Sequence, residues 1–161
     1  MSSPRDENEV THLSRVGILK ADPVERVFSQ PALASCEFVQ TLGAAAKGVL
    51  SRGVLRKVLP GQPLYMAGQV GDMVYLVIDG QIRMRAADPE ASGPGGVVSP
   101  GGLCGVQALH SLAPRPFSAV AAEGEAVVIG WSVDYLIPAV SSQAAFTDLL
   151  ARFEAQEAGL A

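Results

Sequence analysis

Residues 100–120 read PGGLCGVQALHSLAPRPFSAV: a glycine turn, a short apolar helical segment, a lone arginine at 115 and the start of a strand. The chemistry open to such an array is the holding of an anion. Main-chain N–H groups without partners at the beginning of a helical turn favour a negative group, and an arginine adds permanent charge and a planar fork of donors. Ser118 has two readings, a hydroxyl offered to a ligand or one that satisfies nearby backbone. Cys104, beside Gly105, is either a thiol activated by the turn or a small side chain packed beneath it. Other chemistries lack their parts. No nucleophile is spaced with a base, and no glycine loop ends in Gly-Lys-Ser/Thr. Cys36 and Cys104 form no CxxC pair, and His12 and His110 stand apart from any set of metal ligands, so we expect neither an enzyme nor a metal site.

The elements that must position this stretch are short strands. After Gly53, glycines recur from Gly61 to Gly105 and cut the chain into pieces suited to strands and turns. MVYLVIDGQIRMRAA, residues 73–87, predicts two strands joined by a tight type I′ hairpin at Asp79 and Gly80. The first strand is apolar on both alternating faces and so buried on both sides; in the second, Ile82 and Met84 alternate with Arg83 and Arg85, which gives it a wet face. DPEASGPGG, residues 88–96, predicts a polar surface loop. Further strands are expected at 97–99, 117–122 and 125–131, with Tyr75 and Trp131 as core or rim aromatics. Ahead of the strands, Asp22 can cap a helix with Pro23 at its first position, Pro31 interrupts it, and a second helix spans 32–47. A final helix over 142–158 places Phe146, Leu149, Leu150 and Phe153 on one stripe.

Bulk properties bound the function. The chain has 161 residues, 48% of them hydrophobic and 17% charged, which suits one folded unit rather than disorder. We divide it into an N-terminal arm (1–20), N-terminal helices (21–48) and a β-rich unit with its C-terminal helix (49–158). A formal charge of −4 supplies no field for nucleic acid, and Lys47, Arg52, Arg56 and Lys57 read as a local basic spot or a solvated edge. No apolar run is long enough for a membrane span, and the acidic, polar start is unlike a secretion signal, so a cytoplasmic location is expected.

Pro60, Gly61, Gly68, Gly71, Asp72, Tyr75 and Gly80, followed by the 100–120 stretch, resemble in order and spacing the cyclic nucleotide-binding domain family over roughly residues 45–155. The fold class implied is mainly β with flanking helices: a jelly-roll-like β-roll with N-terminal helices and a C-terminal helix. The resemblance makes 100–120 a phosphate-binding cassette and Gly105, Val106, Gln107, Ala108, Arg115, Pro116 and Ser118 its ligand-binding residues. Gly105 takes the cassette glycine's place, Ala108 and Leu109 match its helix, and Arg115 matches the phosphate-neutralising arginine.

Two positions depart from the pattern. Val106 stands where the resemblance places a ribose-binding glutamate, and Pro116, which has no N–H, stands where a main-chain donor usually follows the arginine. Two lost charged hydrogen bonds remove roughly 3 to 6 kcal/mol. A micromolar ligand has only about 8 kcal/mol of binding free energy, so what remains is near-millimolar affinity. Arg115 thus reads either as a weakened phosphate site or as a structural charge. We expect a non-enzymatic regulatory or protein-interaction module without standard affinity for cyclic AMP or cyclic GMP and without another cofactor. The alternative is a stand-alone nucleotide sensor with an atypical pocket. Either acts through another protein, and the stripe of Phe146, Leu149, Leu150 and Phe153 either packs on its own β-roll or serves as a partner or homodimer seam.

Overall fold

The computed structural model describes residues 17–109, 113–141 and 144–160. Most of the expected arm, His12, His110 and the start of the final helix at 142–143 lie outside the described residues.

Two four-stranded antiparallel sheets form the β-roll. The first orders β1 (Val54–Val58), β8 (Ala126–Ser132), β3 (Met73–Asp79) and β6 (Leu103–Cys104); the second orders β2 (Pro63–Tyr65), β7 (Phe117–Ala121), β4 (Ile82–Ala86) and β5 (Val97–Val98). The alternation in β3 explains its central place. Val74, Leu76 and Ile78 point to a core shared with the helices, whereas Tyr75 and Val77 point to a second core between the sheets, with Ile82 and Met84 opposite. Arg83 and Arg85 face outward from β4 as expected.

The segment at Asp79 and Gly80 is not a hairpin. β3 pairs with β8 and β6, and β4 pairs with β7 and β5, so the chain turns a corner from one sheet to the other. A strand apolar on both faces needs a covered position, while a strand with one wet face belongs in the outer layer. Gly80 makes the corner possible: its φ is +72°, and a Cβ there would meet the Glu125 carbonyl oxygen and lie 2.9 Å from Ala126 Cα.

The helical parts depart from expectation in three places. The first helix, α1 (Pro23–Phe28), starts as predicted, with the Asp22 carboxylate accepting from the Val24 N–H. The expected helix over 32–47 is broken into α2 (Pro31–Ala34), α3 (Glu37–Leu42), a 3-10 turn over Gly43–Ala45 and α4 (Ala46–Ser51), because Cys36 is extended and Gly43 has a φ of +55°. The polar loop holds one helical turn, α5 (Pro89–Ser92), capped by Asp88. After β8 an unanticipated helix, α6 (Val133–Val140), is capped by the Ser132 hydroxyl and carries Pro138 inside it. The last helix, α7 (Ala144–Ala158), ends near its expected position.

The helices pack on the first sheet. Trp131 donates its indole N–H to the Val49 carbonyl at 2.7 Å and meets Phe38 at 5.5 Å, and Phe38 meets Phe146 of α7 at 6.1 Å. On the surface, both oxygens of Glu37 accept from Arg152, at 2.6 and 2.7 Å, tying α3 to α7.

Candidate functional site

Arg115 lies in a slot built by glycines. It sits just before β7, where its N–H donates to the Gln69 carbonyl and its own carbonyl accepts from Gly68. Its guanidinium turns inward, leaving the residue only 6% exposed. Nη2 donates to the Met73 carbonyl at 2.8 Å, Nη1 donates to the Gly105 carbonyl at 3.3 Å, and the group stacks 4.0 Å over the Tyr65 ring. A Cβ at Gly71 would stand 2.5 to 2.8 Å from guanidinium atoms, and one at Gly105 would stand 2.7 Å from Nη1. Gly71 is therefore required for room, whereas Gly105 also needs its φ of +82°.

The cassette segment follows β6 as a 3-10 turn, Val106–Leu109. Its first N–H, from Val106, donates at 3.2 Å to Oε2 of Glu157 on α7. Glu157 is fully buried. Among the described residues, its other oxygen, Oε1, meets no donor in hydrogen-bonding geometry, and Arg115 Nε meets no acceptor. Burial pushes the Glu157 carboxyl up to about 7; the Val106 N–H, the Gln107 side chain, the Arg115 charge and the Gly105 backbone only offset part of that cost. The Cys104 thiol beneath is raised by its own burial and then by the charge of Glu157, so it is a packed thiol and not an activated one. Tyr65 is likewise raised well above the ordinary phenol range by burial.

Of the predicted ligand-binding residues, the structure brings Gly105, Val106 and Arg115 to one point. The Val106 side chain faces away from them into the helix-side core, with Ala108, and Gln107 is half-buried beside Glu157. Pro116 contributes its carbonyl to the Ala87 N–H, and the Ser118 hydroxyl accepts from the Ala67 N–H at 2.8 Å. Ser118 thus satisfies backbone, and it lines an outer groove with Arg85 and Val120. The predicted seam is already covered: Phe146, Leu149, Leu150 and Phe153 are 3%, 1%, 9% and 7% exposed within the chain's own core. The basic residues do not act as one spot. Lys47 lies over Phe28, Arg52 over Tyr135, and Lys57 pairs with Glu125.

Glu157 is the site residue that sequence reasoning missed. A signal was present, because 146, 150, 153 and 157 follow one helical face, so a glutamate continues an apolar stripe into the interior.

Residues 55–137 match the family model described as the cyclic nucleotide-binding domain, just over half of the 161 residues. No curated protein gives a significant match. Among solved structures, the N-terminal domain of a transcriptional regulator from Streptomyces coelicolor A3(2) is 21% identical with a TM-score of 0.54, over 84% of this chain and 89% of that one. The regulatory subunit of a cAMP-independent protein kinase A from Trypanosoma brucei is 12% identical with a TM-score of 0.67, over 81% of this chain and 46% of that one. The Thermus thermophilus catabolite activator protein is 30% identical with a TM-score of 0.54, over 70% of this chain and 57% of that one. The chain thus spans about half the length of the latter two. Among the described residues, no helix is long and apolar enough to cross a membrane.

Proposed function

We propose that this chain, which belongs to the cyclic nucleotide-binding domain family, is a non-enzymatic regulatory module that acts through another protein and does not hold cyclic AMP or cyclic GMP at messenger concentrations. One observation carries the reading: the arginine that the family pattern offers to a phosphate is buried, donates to the Met73 and Gly105 carbonyls and stacks on Tyr65. A ligand phosphate that drew the guanidinium away from these partners would leave the buried Met73 carbonyl without the arginine, at about 1 to 3 kcal/mol, while the Gly105 carbonyl keeps the Ala108 N–H at 3.1 Å. Val106 supplies no ribose acceptor, because its side chain belongs to the apolar core.

The regulatory role is supported by the kind of protein that shares the fold, a transcriptional regulator and a kinase regulatory subunit among them. The second of these is described as belonging to a cAMP-independent kinase, so the β-roll serves regulation there without that messenger. The two unpaired thiols, Cys36 and Cys104, fit a reducing compartment, which we take to be the cytoplasm.

Titration calorimetry of the full chain with cyclic AMP and cyclic GMP tests the proposal. We expect no binding heat up to about millimolar nucleotide. Micromolar binding that Arg115→Ala abolishes would overturn it in favour of a sensor with an atypical pocket.

A further inference from the structure

The Gly105–Val106 peptide unit is gripped from both ends. Its oxygen accepts from Arg115, and its N–H donates to Glu157, which reaches in from the last turn of α7. That turn is also fixed from the outside. The Gly96 N–H donates to the Glu157 carbonyl at 2.9 Å, the Gly95 N–H donates to the Ala158 carbonyl at 3.1 Å, and the Gln156 amide reaches the Val97 carbonyl at 3.4 Å. The glycines at 93, 95 and 96 admit this approach: a Cβ at Gly93 would stand 2.6 Å from the Ala158 carbonyl oxygen, and one at Gly96 would meet that of Gln156. The helix therefore leaves the core it shares with α3 and ends inside the other one, where Ala158 packs among the residues between the sheets.

A buried carboxyl with one oxygen unpartnered, on a helix already anchored by Phe146, Leu149 and Phe153, is not required for packing. What it supplies is a carboxyl at the point where an N–H and an arginine converge. We propose that Glu157 is a built-in ligand: it fills from within the chain the anion niche of Gly105, Val106 and Arg115, latches the end of α7 over it, and gives way when an external anion takes the niche. The inference rests on the reading above that the niche is not a messenger site, but its main readout uses no nucleotide, so the two fail separately.

Amide hydrogen exchange on the full chain tests the latch in wild type, Glu157→Ala, Glu157→Gln and Gly96→Ala. Glu157→Ala should speed exchange over 150–160 and at Gly95 and Gly96 together by about tenfold to hundredfold, with 126–132 unchanged. At about pH 5, Glu157→Gln keeps an acceptor for the Val106 N–H and should stay within about threefold of wild type. Gly96→Ala pushes on the same turn from the opposite side; it should loosen 150–160 and, by withdrawing Glu157, the Val106 amide as well. Should Glu157→Ala also lose protection in 126–132, Gly96→Ala decides. Unchanged exchange over 150–160 in a folded Glu157→Ala, or loosening in Gly96→Ala that leaves Val106 protected, overturns the latch. Inorganic phosphate, compared with chloride at equal ionic strength, should then protect Val106 in Glu157→Ala and not in wild type. Protection of both alike, or of neither, overturns the claim that carboxylate and external anion share the niche.

Discussion

The most exposed consequence of this arrangement is a pH dependence of stability that runs opposite to the usual carboxylate case. Glu157 has its folded-state value raised from 4.5 to about 7. The native state therefore binds more protons than the unfolded state between those values, and unfolding free energy falls as pH rises through the window. The contribution is fully present below about pH 4.5, declines progressively, and is gone above about pH 7. A shift from 4.5 to about 7 corresponds to about 3 kcal/mol in all, of which roughly 2 kcal/mol lies between about pH 5 and pH 8. The groups facing the carboxyl are Tyr65 of β2, Cys104 of β6, Gln107 of the 3-10 turn and Arg115 ahead of β7. Among these described groups the guanidinium of Arg115 is a permanent cation. Glu157→Gln, neutral at every pH and still able to accept from Val106, isolates the effect. Urea unfolding of both proteins at about pH 5 and pH 8 should show Glu157→Gln gaining roughly 2 kcal/mol on wild type at the higher pH relative to the lower. A difference between the two proteins that is flat with pH, or that grows in the other direction, would refute the placement of a buried, under-solvated carboxyl at this position.

Three further substitutions probe the site and its support. Gly71→Ala places a methyl group against the guanidinium, which must shift and lose its bond to Met73; we expect a loss of about 1 to 3 kcal/mol in urea unfolding, and an unperturbed variant would show that the slot has slack. Val106→Glu, which restores the glutamate of the family pattern, puts a carboxyl into the helix-side core, so it should cost about 3 kcal/mol or more and create no micromolar nucleotide binding by calorimetry. Trp131→Phe leaves the Val49 carbonyl buried without its indole donor and should lower stability by about 1 to 2 kcal/mol; an unchanged unfolding midpoint would mean that the bond contributes nothing net.

The strands were legible where local pattern and tertiary place agree. The two-faced apolarity of 73–79 and the alternation at 82–86 are direct records of burial, and both hold. Asp79 and Gly80 misled because a glycine with positive φ serves a hairpin and a corner equally well, and only the pairing partners of the flanking strands distinguish them. The break at Gly43 was masked by the three alanines that follow it and read as continuous helix, and α6 was masked by Pro138, which sits after enough helical turns for the capped start to hold. At the site, Gly105 and Arg115 were readable as a frame. That Arg115 would point at backbone depends on Gly71, more than forty residues away in sequence and silent about space. Glu157 was overlooked because a glutamate near a helix end is ordinarily solvated, and its position on the apolar stripe was the one hint otherwise.

An arginine can persist in a binding motif for a reason other than binding. In the interior of the β-roll, the Met73 carbonyl accepts from Arg115, and the Gly105 carbonyl accepts from Arg115 as well as from the Ala108 N–H. Arg115 donates to both and shields its charge against the face of Tyr65, so replacing it with an apolar residue would take that donor from Met73 and leave a void. Glu157 stands across a single peptide unit from the guanidinium, whose charge offsets part of the cost of burying the carboxyl. The cassette's geometry is thereby retained by internal needs: the glycines make room, the arginine serves the backbone, and the glutamate answers the arginine. A ligand phosphate would compete with these contacts at once, which is why the presence of the family frame in this sequence is compatible with the absence of messenger binding proposed above.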